Sequence, residues 1–418
     1  MTPVELSRTV LRAMRRAVDA GELSVDVTAS AEVGNVRVER PRPGGRGDFA
    51  TNVALQIARA VGRTPRDVAE VLSPRLAAEP GIAGVDITGP GFLNITLTDA
   101  RARAAALVRE IHERGRCYGH VHPDTGGVAQ IHVPRDLRAA VLADSARRIL
   151  RSQGVLVRVS CDEKPDPALA DALDALHVRI DAYGRPPEPL PTLRPVPAPA
   201  PADVVLRLGR DAARWALLHP APHDHPRVTP EQGGDDHLVQ RESNPLFRVR
   251  YAYARTRALT RNAAALGFAA DPDADPRVDP DAGSDAAPAT LTTTPAAPLA
   301  TALLDALGDY PATLASAGRH RAPDRLARQL VVIADAFLAF QSAPHGAPQR
   351  APHGTPQGAS HGAPQRAPHS APQDAAILPC GDEKPSAAHR ARLALAEAAG
   401  TVLAGGLSLL GINAPEFL

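Results

Sequence analysis

A run of arginines between positions 244 and 268 has the clearest chemistry in this sequence. The five are Arg248, Arg250, Arg255, Arg257 and Arg261, and no acidic residue occurs in that interval. A guanidinium group is planar and always charged, and it binds phosphate through parallel hydrogen bonds. The run therefore predicts a phosphate-binding surface, with a solvated helix face as the alternative.

Two tyrosines within this run, Tyr251 and Tyr253, add aromatic surface. Residues two apart lie on nearly opposite sides of a helix. We therefore expect one tyrosine ring to belong to the core and the other to be free to stack on a base.

A second group of candidate contacts lies near the start of the chain: Phe49, Asn52, Gln56 and Phe92. Aromatic faces and amide edges together suit the recognition of unstacked bases. The alternative is structural, with both phenylalanines in the core and the asparagine capping a helix.

Histidines suggest metal binding only weakly. Four of them, His219, His223, His225 and His237, lie in a polar stretch, and His345, His353, His361 and His369 recur every eight residues. The stretch reads as a loop and the repeat as a low-complexity linker, so we expect no metal site. The adjacent acids at 162–163 and 382–383 read as solvated.

Composition indicates where the protein is located in the cell. The chain has 418 residues and a formal net charge of +1, and of its 47 basic residues only Lys164 and Lys384 are lysines. Three widely spaced cysteines predict a reducing, cytoplasmic location. No apolar run approaches the ~20 residues of a membrane span, and we expect no targeting peptide.

The predicted secondary structure that positions these residues differs from one part of the chain to the next. Residues 1–115 alternate helical and strand patterns and predict a compact α+β domain, with helices at 51–62 and 65–78 and strands at 35–39, 85–87 and 92–97. Residues 116–183 predict one βαβ half-unit, with strands at 131–133 and 156–160 flanking a helix at 138–152. Residues 184–203 hold eight prolines and predict a stiff linker outside the fold.

The remainder is predicted to be helical. A helix at about 203–218 opens the segment 204–243, and residues 219–240 read as loop. Residues 244–418 predict an all-α bundle, with helices at 243–266, 298–308, 323–341 and 386–410. Two inserts, 269–297 and 342–375, are Asp- and Pro-rich or repetitive and predict disorder.

Both ends of the chain resemble arginyl-tRNA synthetases. Gly47–Gln56 and Gly89-Pro90-Gly91-Phe92 resemble the family's N-terminal additional domain. Asn244-Pro245, the helix that follows, and residues 386–416 resemble its DALR anticodon-binding bundle. In the family these two domains contact tRNA, at its outer corner and at its anticodon respectively.

The resemblance thus implies that tRNA is the partner, and the arginine class is the specific expectation. Its expected contacts are Phe49, Asn52, Gln56 and Phe92, and Asn244, Arg248, Arg250, Tyr251, Tyr253, Arg255 and Arg257. The family usually has an aromatic residue at 248, Gln at 250 and His at 253.

The middle of the chain resembles a remnant of the family's α/β, Rossmann-like catalytic domain. In the family a first strand leads into a His-x-Gly-His signature, and a Lys-Met-Ser-Lys-Ser-like loop follows later. Both hold ATP phosphates in the transition state. Here the predicted strand 131–133 leads into Pro134-Arg135-Asp136, no lysine occurs from 165 to 383, and about 45 residues join 160 to 206.

We therefore expect a tRNA-binding protein of the synthetase family, a truncated paralogue without a bound cofactor or aminoacylation activity. The alternatives are an active arginine–tRNA ligase, an interaction protein that docks on another synthetase, and a gene product that has lost its role.

Overall fold

The computed structural model describes residues 3–23, 38–39, 47–98, 100–121, 127–186, 190, 192–199, 201–273, 296–342, 377–379, 381 and 383–417. The octapeptide histidines, nearly all of both predicted inserts and residues 35–37 of the first predicted strand lie outside them. The chain forms two compact units, residues 1–104 and 105–418.

The first unit combines three helices with a four-stranded antiparallel sheet. The helices are α1 (Pro3–Asp19), α2 (Val53–Val61) and α3 (Pro65–Ala77), and the strands are β1 (Val38–Glu39), β2 (Phe49–Thr51), β3 (Ile82–Thr88) and β4 (Phe92–Leu97). The strand order is β1-β2-β4-β3. Every second side chain of β4, at Leu93, Ile95 and Leu97, is buried and joins a core with Val10 and Leu72 from the helices.

The boundary between α2 and α3 follows directly from local sequence. Gly62 ends α2 in the left-handed region, with φ of 67°. Thr64 and Asp67 form a reciprocal capping box, and Pro65 occupies the first turn of α3. The predicted pair of helices is confirmed. β2 is an addition to the prediction, and it is held by the Asp48 carboxylate, which accepts a hydrogen bond from the Leu97 amide at 2.8 Å.

The helix α4 (Ala100–Arg114) includes the division between the two units. It is followed in the second unit by a small parallel sheet with its helices: β5 (Val128–Val133), α5 (Leu137–Ser152), β6 (Leu156–Cys161), α6 (Pro167–Ala175) and β7 (Ala182–Tyr183). The order is β5-β6-β7, all parallel. The predicted strand–helix–strand order is confirmed, while α6 and β7 were not predicted. Val128 and Leu156, paired in register, are 73% and 68% exposed.

The proline-rich segment is partly built into this sheet, so its prediction as a linker outside the fold is wrong. Thr192 forms a parallel bridge with His132, and the Leu193 amide donates to the His132 carbonyl at 2.9 Å. The reason is local, because neither Thr192 nor Leu193 is a proline and the Leu193 amide remains available for pairing.

The remaining described residues of the second unit are mainly helical. The helices are α7 (Pro201–Leu218), α8 (Pro245–Ala265), α9 (Ala296–Gly308), α10 (Tyr310–His320), α11 (Pro323–Gln341) and α12 (Ala387–Leu410). The helix α10 adds to the prediction. Gly209 interrupts α7 with φ of 68° and ψ of 173°, so α7 is two helical pieces. The region 219–240, predicted to be loop, contains two short 3-10 helices.

The helix α12 is the core of the helical region. Its length and composition would allow it to cross a membrane, contrary to the sequence expectation, but 83% of its most apolar window is buried inside the protein. Small residues permit this burial. A Cβ at Gly400 would overlap Thr256 Oγ1 of α8, and one at Gly406 would overlap Leu330 Cδ2 of α11.

A buried ionic network ties α5 to α7 and α12. Arg214 of α7 is fully buried and donates to the Asp144 carboxylate at 2.8 Å and to the Leu410 carbonyl at 2.7 Å. Arg147 and Arg148 also donate to Asp144. Burial raises the pKa of Asp144, but the surrounding guanidinium groups outweigh burial and leave that pKa below its usual value.

Another arginine of α5, Arg138, fixes the chain around the end of α7. Its guanidinium donates to five backbone carbonyls, those of Val196, Leu217, Pro220, Ala221 and Asp224. Buried carbonyls need such donors. Arg138 therefore organises a stretch that has little regular structure of its own.

Replacing Asp144 with Asn should destabilise the second unit by about 3–5 kcal/mol, because it leaves buried guanidinium groups without their counter-charge. Urea unfolding followed through the fluorescence of Trp215, the sole and buried tryptophan, would measure this loss. The control is Asp171→Asn, an exposed position on α6. Equal unfolding midpoints for both variants would contradict the prediction.

The contact between α4 and α12 includes a titratable pair, His112 and Glu397. His112 Nε2 lies 3.4 Å from Glu397 Oε2, and His112 Nδ1 donates to the Val108 carbonyl. The hydrogen bond with Glu397, opposed by burial, raises the pKa of His112 above its usual value. Because the folded pKa is raised, the stabilisation is full below the unfolded pKa of about 6.5 and is lost as pH rises through the folded pKa.

We expect His112→Gln to lower the urea midpoint more at pH 5.5 than at pH 8.5, since the charged contact exists at the lower pH. The variant Glu397→Gln should remove most of this pH-dependent difference. A midpoint loss that is the same at both pH values would show that the ion pair contributes nothing.

Candidate nucleic-acid interface

The arginine-rich helix α8 begins at a fully satisfied cap. The Asn244 side-chain oxygen accepts hydrogen bonds from the amides of Leu246 and Phe247, and its nitrogen donates to the carbonyls of His237 and Val239. Asn244 is 4% exposed. The fold uses this residue as a cap, so its predicted contact with tRNA gains no support from the geometry and stays a prediction.

The two tyrosines of α8 divide as their spacing predicts. Tyr253 is 4% exposed and belongs to the buried side of the helix, whereas Tyr251 is 38% exposed. The ring of Tyr251 stacks on that of Phe247, with centroids 5.5 Å apart and planes 19° from parallel. An aromatic pair thus lies at the centre of the solvent-facing side of α8. Sequence reasoning missed Phe247, although its spacing of four residues from Tyr251 is a helical signal.

Arginines flank this pair on both sides. Toward α11, Arg248 lies 3.0 Å from Asp335, and Arg255 donates to the side-chain oxygen of Gln341 at 2.7 Å. On the other flank, Arg257 contacts Glu416 at 3.3 Å. We call Phe247, Tyr251 and the arginines at 248, 250, 255, 257 and 261 the α8 surface.

Two further contacts complete the second flank. Arg250 Nη2 lies 3.9 Å from Asp211 of α7. The Arg261 guanidinium lies over the Phe417 ring, 4.4 Å from its centroid, in cation–π geometry. The residues 416–417 that follow α12 therefore contact the same flank of α8.

The fold supplies carboxylates that the local sequence lacks. Among the described residues, three carboxylates, those of Asp211, Asp335 and Glu416, lie against the five guanidinium groups of the α8 surface, a surplus of two positive charges. The lack of acids within residues 244–268 therefore does not leave the five charges unopposed, and phosphate binding stays a prediction. Exposed pairs such as Arg257–Glu416 contribute little, about 0–1 kcal/mol, so a phosphate can compete for the guanidinium.

Two of these guanidinium groups keep an unused donor. The Nε atoms of Arg248 and Arg250 are buried and make no hydrogen bond within the described residues, whereas Arg257 Nε lies 3.3 Å from Glu416 Oε1. Burial raises the pKa of Asp335, opposed by the charge of Arg248. The carboxylates therefore hold the arginines in place without using all of their donors.

The N-terminal candidates occupy one end of the first unit's sheet. In the antiparallel pair of β2 and β4, Thr51 lies opposite Leu93, so the next residue of one strand, Asn52, and the preceding residue of the other, Phe92, lie at the same end of the sheet. Phe49 lies further along β2, opposite Ile95. Phe92 is 40% exposed, and Phe49 is half-buried against the core. The structural alternative thus fits Phe49 and not Phe92, and the contact of Phe92 with a base stays a prediction.

The amides in this group are half-buried and partly unused. Asn52 precedes α2 but makes no capping hydrogen bond with its side chain. Gln56 lies one turn later on α2, and its Oε1 atom is buried with no partner in the described residues. Their spacing of four places both amides on one side of α2.

The carboxyl end of the parallel sheet is closed by its own side chains. His132 is buried, with Nδ1 2.8 Å from Ser160 Oγ and Nε2 2.8 Å from Asp162 Oδ1. Asp136, which follows β5, caps α5 by accepting from the Ala139 amide at 2.8 Å. Among the described residues, no three His, Cys, Asp or Glu side chains form a metal-binding group.

Comparison with known proteins gives two family matches. Residues 5–97 match the arginyl tRNA synthetase N terminal domain, and residues 377–418 match the DALR anticodon binding domain. The arginine–tRNA ligase of Renibacterium salmoninarum is 46% identical over 167 residues, 38% of this chain and 30% of that protein. That of Micrococcus luteus is 42% identical over 165 residues, 37% of this chain and 29% of that protein. The chain thus spans under a third of the length of these relatives.

Solved structures show the same fold. The arginyl-tRNA synthetase of Thermus thermophilus matches with a TM-score of 0.61 at 16% identity, covering 100% of both chains. A structure from Campylobacter jejuni described as a putative arginyl tRNA synthetase matches with a TM-score of 0.50 at 12% identity, over 76% of this chain and 99% of that one.

These matches define the class of protein as aminoacyl-tRNA synthetase-like, with a mixed α/β N-terminal region and a helical C-terminal region. Within that class, residues 5–97 and 377–418 match domains of the arginyl-tRNA synthetase family.

The two tyrosines of α8 should respond differently to truncation. Tyr253→Ala should cost about 3–5 kcal/mol of unfolding free energy, because it leaves a cavity beneath α8. Tyr251→Ala should cost at most about 1.5 kcal/mol, the loss of its ring stacking. Urea unfolding of the two variants side by side measures the difference, and comparable losses would contradict the assignment of Tyr251 to the solvent-facing side.

Proposed function

We propose that this protein binds tRNA through the α8 surface and through Asn52, Gln56 and Phe92, and that it does not aminoacylate. The observation that carries the proposal is the α8 surface itself. A stacked aromatic pair between two flanks of positioned arginines offers ring faces for bases and charge for phosphates. The domain names of the two family matches support the same partner.

The parallel sheet supports the second half of the proposal. Parallel sheets are ordinarily covered on both faces, yet Val128 and Leu156 of neighbouring strands are largely exposed. This is what we expect of a catalytic domain reduced to a remnant. The nearby His132 is held by Ser160 and Asp162, and the turn after β5 offers Pro134, Arg135 and a capping aspartate in place of paired imidazoles.

Active arginine–tRNA ligase is the second candidate, because the curated relatives carry that name. It predicts consumption of ATP that depends on arginine and tRNA, and we expect none. A cytoplasmic location is part of the proposal, since tRNA is the partner.

Arginine-class tRNA should bind with an affinity that falls as salt rises, with a log–log slope of about 0.7–0.9 per phosphate contact. The double variant Arg248→Ala/Arg257→Ala should bind at least about tenfold more weakly and with a shallower slope. Gel-shift titrations over a series of KCl concentrations measure both quantities. Arg319→Ala, an exposed position on α10, is the control for loss of charge alone.

The opposite change should strengthen binding. Asp335→Asn removes the carboxylate 3.0 Å from Arg248 and leaves the guanidinium for phosphate. Weaker or unchanged affinity in this variant, or a salt-insensitive shift, would place the binding surface elsewhere.

A further inference from the structure

A cleft of about 570 Å³ lies between α6, the break in α7 and the first turns of α8. Its polar lining includes His177, Arg210, Asp211 and Arg250, and its apolar lining includes Leu208 and Phe247. The volume falls in the usual range of small-molecule sites, about 300–1,000 Å³. The cleft draws on α6 and α7 as well as α8, so it is not simply part of the α8 surface.

Asp211 fixes two guanidinium groups at this cleft. Its carboxylate accepts from Arg210 Nε at 3.2 Å and from the Asn413 amide at 3.3 Å, and it lies 3.9 Å from Arg250 Nη2. Asp211 is 15% exposed in its side chain, whereas Arg250 is 27% exposed. Two guanidinium groups and one carboxylate leave one surplus positive charge, and the Arg250 Nε atom is buried without a partner in the described residues.

His177 adds a ring in an unusual backbone conformation. Its φ is 54°, one of two positive values among described non-glycine residues. This conformation follows the end of α6, where glycine is the favoured residue. Arg210 Nη1 lies 3.1 Å from His177 Nδ1, and since a guanidinium only donates, Nδ1 accepts. Arg210 is therefore held by the His177 ring through Nη1 and by the Asp211 carboxylate through Nε, and the left-handed backbone at His177 is strained.

His237 lines the same cleft and does not add charge there. Burial lowers its pKa, and its Nε2 donates to the Arg227 carbonyl at 3.1 Å. The surplus charge at neutral pH thus comes from the two arginines.

We propose that this cleft binds a nucleoside monophosphate, with the phosphate on Arg210 and Arg250 and the base against Leu208 and Phe247. The ligand is either a free nucleotide or a single nucleotide of an RNA chain, since both present the same phosphate and base. The cleft shares Phe247 and Arg250 with the α8 surface, whereas Leu208 and Arg210 belong to the cleft alone. Replacement of Arg210 therefore separates this proposal from tRNA binding by the α8 surface.

Calorimetric titration of the full chain tests the proposal, with adenosine 5′-monophosphate, adenosine, inorganic phosphate and a short single-stranded RNA as separate probes. The monophosphate should bind more tightly than adenosine or phosphate. Arg210→Ala should weaken its binding about ten- to hundredfold, the range for loss of charge-assisted hydrogen bonds. Arg319→Ala is the matched control, because this exposed arginine lies on α10 and does not line the cleft.

A second variant protects the test against misfolding. Glycine suits the backbone conformation at position 177, so His177→Gly should keep or raise the unfolding midpoint. The same variant should lower the affinity for the monophosphate, because the ring that orients Arg210 is lost. Binding of the RNA but not the monophosphate, with the same dependence on Arg210, identifies a nucleotide within a chain as the ligand. Failure of all four probes to bind, or equal affinity in the chain and in Arg210→Ala, overturns the proposal, whatever the tRNA gel shift shows.

Discussion

The contact between Asp144 and Arg214 is the interaction on which most of the second unit depends. Both side chains are fully buried, and Arg214 also reaches the carbonyls of Leu176 and Leu410. One guanidinium thereby joins α5, the end of α6, α7 and the end of α12. A buried charge pair of this kind is costly to form and more costly to break, so it specifies one arrangement of these helices.

The candidate sites inherit their geometry from that arrangement. Asp211 lies one helical turn before Arg214 on α7, and it accepts from the Asn413 amide just beyond α12. The same aspartate then faces Arg250 of α8. The position of the α8 surface and of the cleft thus follows from how α7 and α12 are locked together. The carboxylates that contact the α8 surface hold its arginines in position, and because exposed ion pairs contribute little, a phosphate can still compete for these guanidinium groups.

Much of this could be predicted from the sequence, and the failures share a physical cause. Helix limits set by caps, such as Thr64 with Asp67 and Pro245 at the start of α8, are local and came out close to the structure. The split between Tyr251 and Tyr253 followed from helical geometry alone. What could not be predicted depends on distant partners: the acids that face the arginines of α8, the pairing of Thr192 with β5, and the cleft beside Gly209. A single sequence contains no direct record of which remote side chains meet.

The small residues of α12 have a consequence for synthesis. The helix follows α8 and α11 in the chain, and its glycines at 400 and 406 let it pack closely against Thr256 and Leu330 on these helices. On the ribosome, the faces of α8 and α11 that it covers are therefore exposed to water until α12 emerges. Until then the partly formed bundle presents apolar surface to chaperones and to neighbouring chains.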